Sequence, residues 1–465
     1  MYQIDFQKPI HIHFIGIGGI SMSGLAEILL SEGFTVSGSD NQASELTAKL
    51  EENGATVRIG QSAANITDDI DLVVFTAAIH PDNPEYAAAA ERKIPMLSRA
   101  QLLGQIMKNY KTPICVAGTH GKTTTTSMIS EILLSAGLDP TLSVGGMLKS
   151  IGGNLRIGHG DCFVAEACEY TNSFHSFFPK YGIILNVEED HLDFFKGIDD
   201  IIASFHKFAQ LIPSDGALII SSDICGDRTI GKFRDLTKDL TCPVITFGQD
   251  PKSDYHAEDI GFDEFGRGHY TLCHGDERYE VRLGVVGIHN VTNSLAAIAM
   301  ADLLDVPRES ILSALKAFTG TDRRFEIKGK LGDITIIDDY AHHPTEISMT
   351  LGAAKRYPHH EIWCVFQPHT YSRTKAFLED FSCALSAADH VLLAPIYAAR
   401  ETDRLGVSSD DIAERLVKKG CDAHSFTYFD DIETHLLTHA APGDIILTMG
   451  AGDIWQLGEK LLGIR

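Results

Sequence analysis

Thr112-Pro113-Ile114-Cys115-Val116-Ala117-Gly118-Thr119-His120-Gly121-Lys122-Thr123-Thr124 is the stretch on which the fold turns. Thr112 to Ala117 is apolar and β-branched, which reads as a buried strand, and Met128, Ile129, Ile132 and Leu133 recur at helical spacing behind the glycines. Strand, glycine loop and helix in that order form a phosphate cradle. Backbone N–H groups face the oxygens, Lys122 reaches the terminal phosphates, and the Thr123 hydroxyl can hold Mg²⁺. The general P-loop carries a glycine six residues before its lysine; Val116 stands there, so this loop is a shortened variant.

On both sides of this stretch, short β-branched runs alternate with helical patterns, the rhythm of βαβ units and of the α/β class. The 465 residues allow about three domains at roughly 100 to 200 residues each. We expect them at 1–107, 108–322 and 323–465, joined by short hinges near Lys108 to Lys111 and Gly320 to Arg323. Expected strands are His11 to Ile15, Thr35 to Gly38 and Asp71 to Phe75 in the first domain, and Cys162 to Ala165 and Tyr181 to Asn186 in the second. Ile334 to Asp338, Glu361 to Phe366, His390 to Ala394 and Asp444 to Thr448 follow in the third. His269 to Cys273 and Tyr279 to Leu283 read as an added hairpin, and His289 to Leu304 and Lys375 to Ala387 as helices.

A net charge of -24 repels nucleic-acid phosphates and anionic membranes unless locally reversed. Nine cysteines without a C-x-x-C pair indicate neither a disulfide framework nor a zinc knuckle and fit a reducing cytoplasm. No basic leader and no apolar run of about 18 residues is seen, so a soluble, unprocessed chain is expected.

A second glycine cluster, Gly16-Ile17-Gly18-Gly19-Ile20-Ser21-Met22-Ser23-Gly24, follows the first strand and opens a helix, as in dinucleotide-binding turns, although Ser21 replaces the third glycine. Asp40, ending the second strand, could accept hydrogen bonds from a ribose or base. Glu166 and Glu188-Glu189-Asp190-His191 end two strands, where α/β proteins place their ligands, and Mg²⁺ wants such hard oxygens. Arg323 and Arg324, at the second hinge, suit phosphate oxygens. Asp338-Asp339-Tyr340-Ala341-His342-His343-Pro344 fits no zinc helix and points to nucleotide or substrate contacts. Gln367-Pro368-His369-Thr370-Tyr371-Ser372-Arg373 is a similar polar strand end, whereas Gly450 to Asp453 and the cysteines read as structural.

Together and in order, the Gly118 to Thr124 loop, Glu166-Ala167-Cys168-Glu169, Glu189-Asp190-His191, Gly287-Ile288-His289-Asn290 with Asn293, Thr321 to Phe325, and Asp338 to Glu346 resemble the Mur ligases of peptidoglycan synthesis. The glycine run at 16–24 is most similar to the branch that joins L-alanine to UDP-N-acetylmuramate. The resemblance spans nearly the whole chain. It implies a Rossmann-like UDP-sugar domain, a central P-loop ATPase domain with a parallel sheet, and a Rossmann-like third domain. By resemblance, Gly16, Gly18, Gly19, Ser21 and Asp40, with His120, hold the UDP-sugar. ATP falls to Gly118, Thr119, His120, Gly121, Lys122, Thr123, Thr124, His289, Asn290, Asn293, Arg324 and Asp339. Mg²⁺ goes to Thr123, Glu166 and His191, and the amino acid side to Tyr340, His343 and Arg373.

The implied catalytic set is Lys122, Glu166, His191, Arg324 and His343, the last a candidate base for the amine proton because imidazole titrates near neutrality. The chain departs from the family pattern where Glu189 replaces an alanine, where Cys168-Glu169-Tyr170-Thr171 replaces Asp-Glu-Ser-Asp, and at Thr370, often arginine. No obligate protein partner is indicated. Three other readings are a ligase adding a preformed tripeptide, a nicotinamide dehydrogenase, which leaves the second loop unexplained, and a nucleotide-gated module that needs no UDP-sugar.

Overall fold

The computed structural model describes residues 2–76, 78–223, 229–399 and 401–464. Three sheets divide the chain, each covered by helices. The first is parallel, in the order Thr56–Ile59, Thr35–Asp40, His11–Ile15, Leu72–Phe75, Met96–Ser98. Its chain order reverses beside His11–Ile15, which opens a crevice at the carboxyl end of that strand. Gly16, at φ 84°, makes the turn into the helix Ile20–Ser31 there.

The second sheet has ten strands. Thr112–Ala117 lies between Tyr181–Ile184 and Cys162–Glu166, both parallel to it, with Val116 level with Glu166 and Ala117 with Ile184. That order is why the phosphate loop and both acidic strand ends emerge at one edge. Ala217–Ser221 and Val244–Gly248 continue the parallel part on one side, and Thr141–Leu148 and Gly153–Arg156 close the other. The helix after the loop, Lys122–Ser135, opens with four threonines, each up to about 0.7 kcal/mol worse than alanine in a helix. Met128, Ile129, Ile132 and Leu133, all buried, offset this by roughly 1.5–3 kcal/mol apiece, so packing forms the helix. The third sheet runs Glu326–Leu331, Ile334–Asp339, Ile445–Met449, Ile362–Phe366, His390–Leu393, Asp422–Ser425; only the first pair is antiparallel.

Four expectations change. The hairpin gains a third strand, Tyr255–Phe262, and extends the second sheet as Arg267–His274 and Glu277–Val286. The expected strand Tyr181 to Asn186 stops at Ile184 because Asn186 turns its amide to His120. The helix expected over Lys375 to Ala387 is two, Tyr371–Ala376 and Leu378–Leu385, meeting at Phe377. The second strand passes Gly38 and ends, as the acid there suggested, at Asp40. Among the described residues, no helix is long and apolar enough to cross a membrane.

Candidate active site between the second and third domains

The phosphate loop is held from outside itself. The Asn186 side chain accepts from the His120 backbone N–H at 2.8 Å and donates to the His120 carbonyl at 3.1 Å. Gly121 has φ 85°, and a Cβ there would lie 2.7 Å from Asn293 Oδ1, so the loop backbone packs directly against a side chain of the helix Ile288–Asp302. Asn293 in turn donates to Asn290 Oδ1 at 3.0 Å, and Asn290 to the Val286 carbonyl at 2.7 Å.

Lys122 Nζ donates to the Gly118 and Thr119 carbonyls at 2.5 and 3.1 Å and to both Glu169 oxygens at 3.2 and 3.0 Å. Burial alone would strip its proton, but the Glu169 charge outweighs that and pushes the ammonium above its ordinary range. Glu166, one strand over, accepts the Gly145 N–H at 2.5 Å and a bond from Thr123. Burial still holds its carboxyl above the usual range, because Gly145, Thr123 and Lys122 offset only part of the desolvation. Arg324 reaches across from the third domain, Nη2 standing 3.4 Å from Thr123 Oγ1.

Asp339 is buried and raised to about 6 by desolvation, despite Arg324 and the Ala341 and Phe325 N–H groups. It shares a cleft of ≈ 260 Å³ with His120, Gly121, His289, Asn293 and Arg324. His289 Nδ1 there is buried without a hydrogen-bond partner among the described residues, and burial lowers the ring to about 4, so it stays neutral. Gly118, Thr119 and Thr124 complete the loop and the first turn of the helix.

His120 is the ionic joint between these domains. Nδ1 donates to Glu346 Oε1 at 3.1 Å, and Nε2 lies 3.5 Å from Glu188, an electrostatic contact more than a hydrogen bond. Burial opposes the imidazolium, yet the two carboxylates raise His120 to about 9. A second cleft of ≈ 560 Å³ lies beside it, between Asp190 and His191 of the second domain and His369, Arg373 and Glu401 of the third. Arg373 spans it, donating to Asp190 Oδ1 at 2.8 Å and to His369 Nδ1 at 3.1 Å.

Several expected residues stand elsewhere or are already occupied. His191 Nε2 lies 3.7 Å from Glu169 and 3.8 Å from Asp190, its ring on Tyr170, so its polar contacts are not with Thr123 and Glu166. His343 Nε2 donates to the Glu189 carbonyl and Nδ1 accepts the Thr345 N–H, which makes it the cap of the helix Pro344–Ala354. With both ring nitrogens engaged, it has no free lone pair for a general base in this conformation. Arg323 is held by Asp338 at 2.9 Å and by the Gly450 and Gly452 carbonyls, leaving only Arg324 of the pair to face the loop. The Tyr340 ring packs against both guanidiniums, 4.9 and 5.1 Å away. In the first domain, Asp40 Oδ2 accepts the Gly18 N–H at 2.9 Å and braces the glycine turn, while Ser21 and Gly19 stay exposed.

Glu169 and Glu346 stand in the sequence motifs without an assigned role, Asn186 only as the end of a strand, and Glu188 as a strand-end acid expected near Mg²⁺, whereas the fold sets it 3.5 Å from His120. A buried lysine demanding a carboxylate could have found Glu169; the other three meet His120 only through folding.

Comparison with known proteins agrees in all three domains. Family models match residues 11–111 (Mur ligase family, catalytic domain), 116–301 (Mur ligase middle domain) and 323–452 (Mur ligase, glutamate ligase domain). The chain is 60% identical over 464 residues to the UDP-N-acetylmuramate–L-alanine ligase of Lachnospira eligens, covering 99% of this chain and 100% of that one. Its identity to the enzyme of the same name from Agathobacter rectalis is 57% over 463 residues, again 99% and 100% covered. Among solved structures, UDP-N-acetylmuramate-alanine ligase from Thermotoga maritima superposes with a TM-score of 0.80 at 31% identity, over 98% of this chain and 99% of that one. A murein peptide ligase from Psychrobacter arcticus gives 0.71 at 29% identity, over 98% of each. Sequence, fold and site agree that the chain belongs to the Mur ligase family.

Proposed function

We propose that this protein is an ATP-dependent ligase joining L-alanine to the lactyl carboxylate of UDP-N-acetylmuramate, a step in peptidoglycan precursor synthesis. The observation that carries the reading is the convergence at the loop: Glu166 from the next strand and Arg324 from the third domain, at 3.4 Å, both meet Thr123, and the Lys122 charge acts on Glu166 beside it. These groups suit phosphoryl transfer, where negative charge spreads over equatorial oxygens.

The chemistry follows from need. A carboxylate and an amine do not condense unaided, so the lactyl carboxylate attacks the γ-phosphate of ATP, forming an acyl phosphate and releasing ADP. The neutral amine of L-alanine then attacks the acyl carbon, and phosphate leaves through a tetrahedral intermediate. Lys122 leaves Glu169 to meet the phosphates, and Arg324 closes over them. Glu166 and Thr123 fit Mg²⁺: a hydroxyl and a buried carboxylate still short of positive charge are the hard oxygens this ion takes. Bound there, the ion would supply neutralisation of phosphate charge. His289, Asn290, Asn293 and Asp339 border the nucleotide cleft, and the ≈ 560 Å³ cleft at Arg373 takes the amino acid beside the sugar. Closure between second and third domains excludes water from the acyl phosphate.

The UDP moiety falls to the glycine turn of the first domain. Working on nucleotide substrates places the enzyme in the cytoplasm. Identity of 57–60% to alanine-adding relatives favours alanine over a tripeptide. The test is phosphate release from MgATP with UDP-N-acetylmuramate, comparing L-alanine, glycine, L-serine and tripeptide. Release that requires both the sugar and L-alanine is expected; release with tripeptide alone, or without the sugar, overturns the reading.

A further inference from the structure

Cations shielded from water normally rest on carboxylates, because an unpaired charge loses hydration without return. Around the clefts this holds for Lys122 on Glu169, Arg323 on Asp338 and Arg373 on Asp190. Two arginines depart from this pattern: Arg324, which meets the Thr123 hydroxyl and is given above to the ATP phosphates, and Arg99. The latter opens the helix Arg99–Met107 directly after the strand Met96–Ser98, at the carboxyl edge of the first sheet, where an α/β domain keeps its ligand. The residue is half-buried, yet among the described residues its polar contact is a neutral hydroxyl, Ser21 Oγ at 3.0 Å, and no carboxylate pairs with it. Burial disfavours its charge, and the group facing it from the second domain is the Cys168 thiol.

Both neighbours tell what is missing. Ser21 stands in the first turn of the helix Ile20–Ser31, which has neither a side-chain cap nor an acidic residue in that turn, and Asp40 answers the Gly18 N–H that precedes it. Cys168 precedes Glu169, the carboxylate on Lys122. Arg99 thus stands between the glycine turn and the segment that leads to the phosphate loop. We propose that Arg99 is a substrate-binding residue, whose guanidinium fork takes the diphosphate of the UDP-sugar and so directs the rest of that molecule toward Lys122. The assignment rests on the UDP-sugar reading above and adds a residue outside the glycine turn itself.

Arginine matches phosphate oxygens with two parallel N–H bonds, so its loss should be felt by phosphates and not by the base. The experiment measures binding of uridine and of UDP by calorimetry to the full chain and to Arg99→Ala and Arg99→Lys. Arg99→Ala should weaken UDP on the order of 10- to 100-fold, with Arg99→Lys recovering part, and leave uridine unchanged. Turnover by Arg99→Ala should show the same rise in KM for the sugar nucleotide with kcat little altered. Equal losses for uridine and UDP, or no loss for UDP, would overturn the assignment. If Arg99→Ala does not fold, Arg99→Lys and Arg99→Gln carry the same comparison of uridine with UDP. Because these are binding measurements, they can fail while L-alanine-dependent phosphate release succeeds, which separates this proposal from the ligase reading.

Discussion

Removing one charge from Glu346 should make the protein less sensitive to alkaline pH. His120 is nearly enclosed, lies 3.1 Å from Glu346 and 3.5 Å from Glu188, and is raised from 6.5 to about 9. A group whose folded value lies above its unfolded one adds stability in full below the unfolded value and loses it as pH rises through the folded value. The window is therefore pH 6.5 to about 9. At 1.36 kcal/mol per unit, the contribution is at most about 3 kcal/mol. Two carboxylates share it, so Glu346→Gln should remove about half, or 1–2 kcal/mol. Glutamine keeps an oxygen for the His342 N–H at 3.1 Å, so the turn survives and only the charge goes.

Other groups facing His120 do not titrate in this window in a way that mimics the effect. His343, 4.7 Å away ring to ring, is lowered by burial and by the His120 charge, and Lys122 is raised and stays cationic. Asp339, at about 6, finishes its titration as the window opens. Thermal unfolding of the nucleotide-free wild type and of Glu346→Gln, followed from pH 6 to 9.5, reads the difference. The wild type should lose more stability across the window than the variant. Parallel profiles, or a wild type that gains stability toward pH 9, would refute the account of this joint.

Lys122→Ala should abolish phosphate release while calorimetry still shows UDP-sugar binding; joint loss of both contradicts separate sites. Glu169→Gln strands a buried ammonium at a cost of about 3–5 kcal/mol, which ATP phosphates should relieve, so the ATP-induced rise in unfolding temperature should exceed that of the wild type. An equal rise would mean that Glu169 does not compete with nucleotide. Gly121→Ala puts a Cβ 2.7 Å from Asn293 Oδ1 at φ 85°, so it should lose at least about 1 kcal/mol of stability and much of its ATP affinity; an unperturbed variant disproves that close approach.

Local chemistry was legible in the chain because it depends on neighbours in sequence. A β-branched run, a glycine turn and apolar residues at helical spacing specify a strand, a phosphate loop and a helix within 24 residues, from Thr112 to Ser135, whatever else the protein does. Glu166 and Asp40 were readable for the same reason: acids that follow apolar runs end strands. The break at Phe377 within the expected helix Lys375 to Ala387 was not legible because the apolar spacing runs on through it; Phe377 stands there at φ -111°, ψ 25°, its ring edge-on to His343.

Which charges meet was not written locally. Arg323 and Arg324 are adjacent and chemically alike, yet one is consumed by Asp338 and the Gly450 turn while the other faces Thr123. His343 looked like a base until the fold gave both its nitrogens to backbone partners, one of them 154 residues away in sequence. His120 and Glu346 lie 226 residues apart, and only domain packing puts them 3.1 Å from each other. The sequence by itself determined the elements, the α/β class and the residues able to do chemistry, since these follow from side-chain type and short-range spacing. Tertiary structure decided which of those residues are free to act, because hydrogen bonds and ion pairs need contacts of about 3–4 Å, distances that no local pattern encodes.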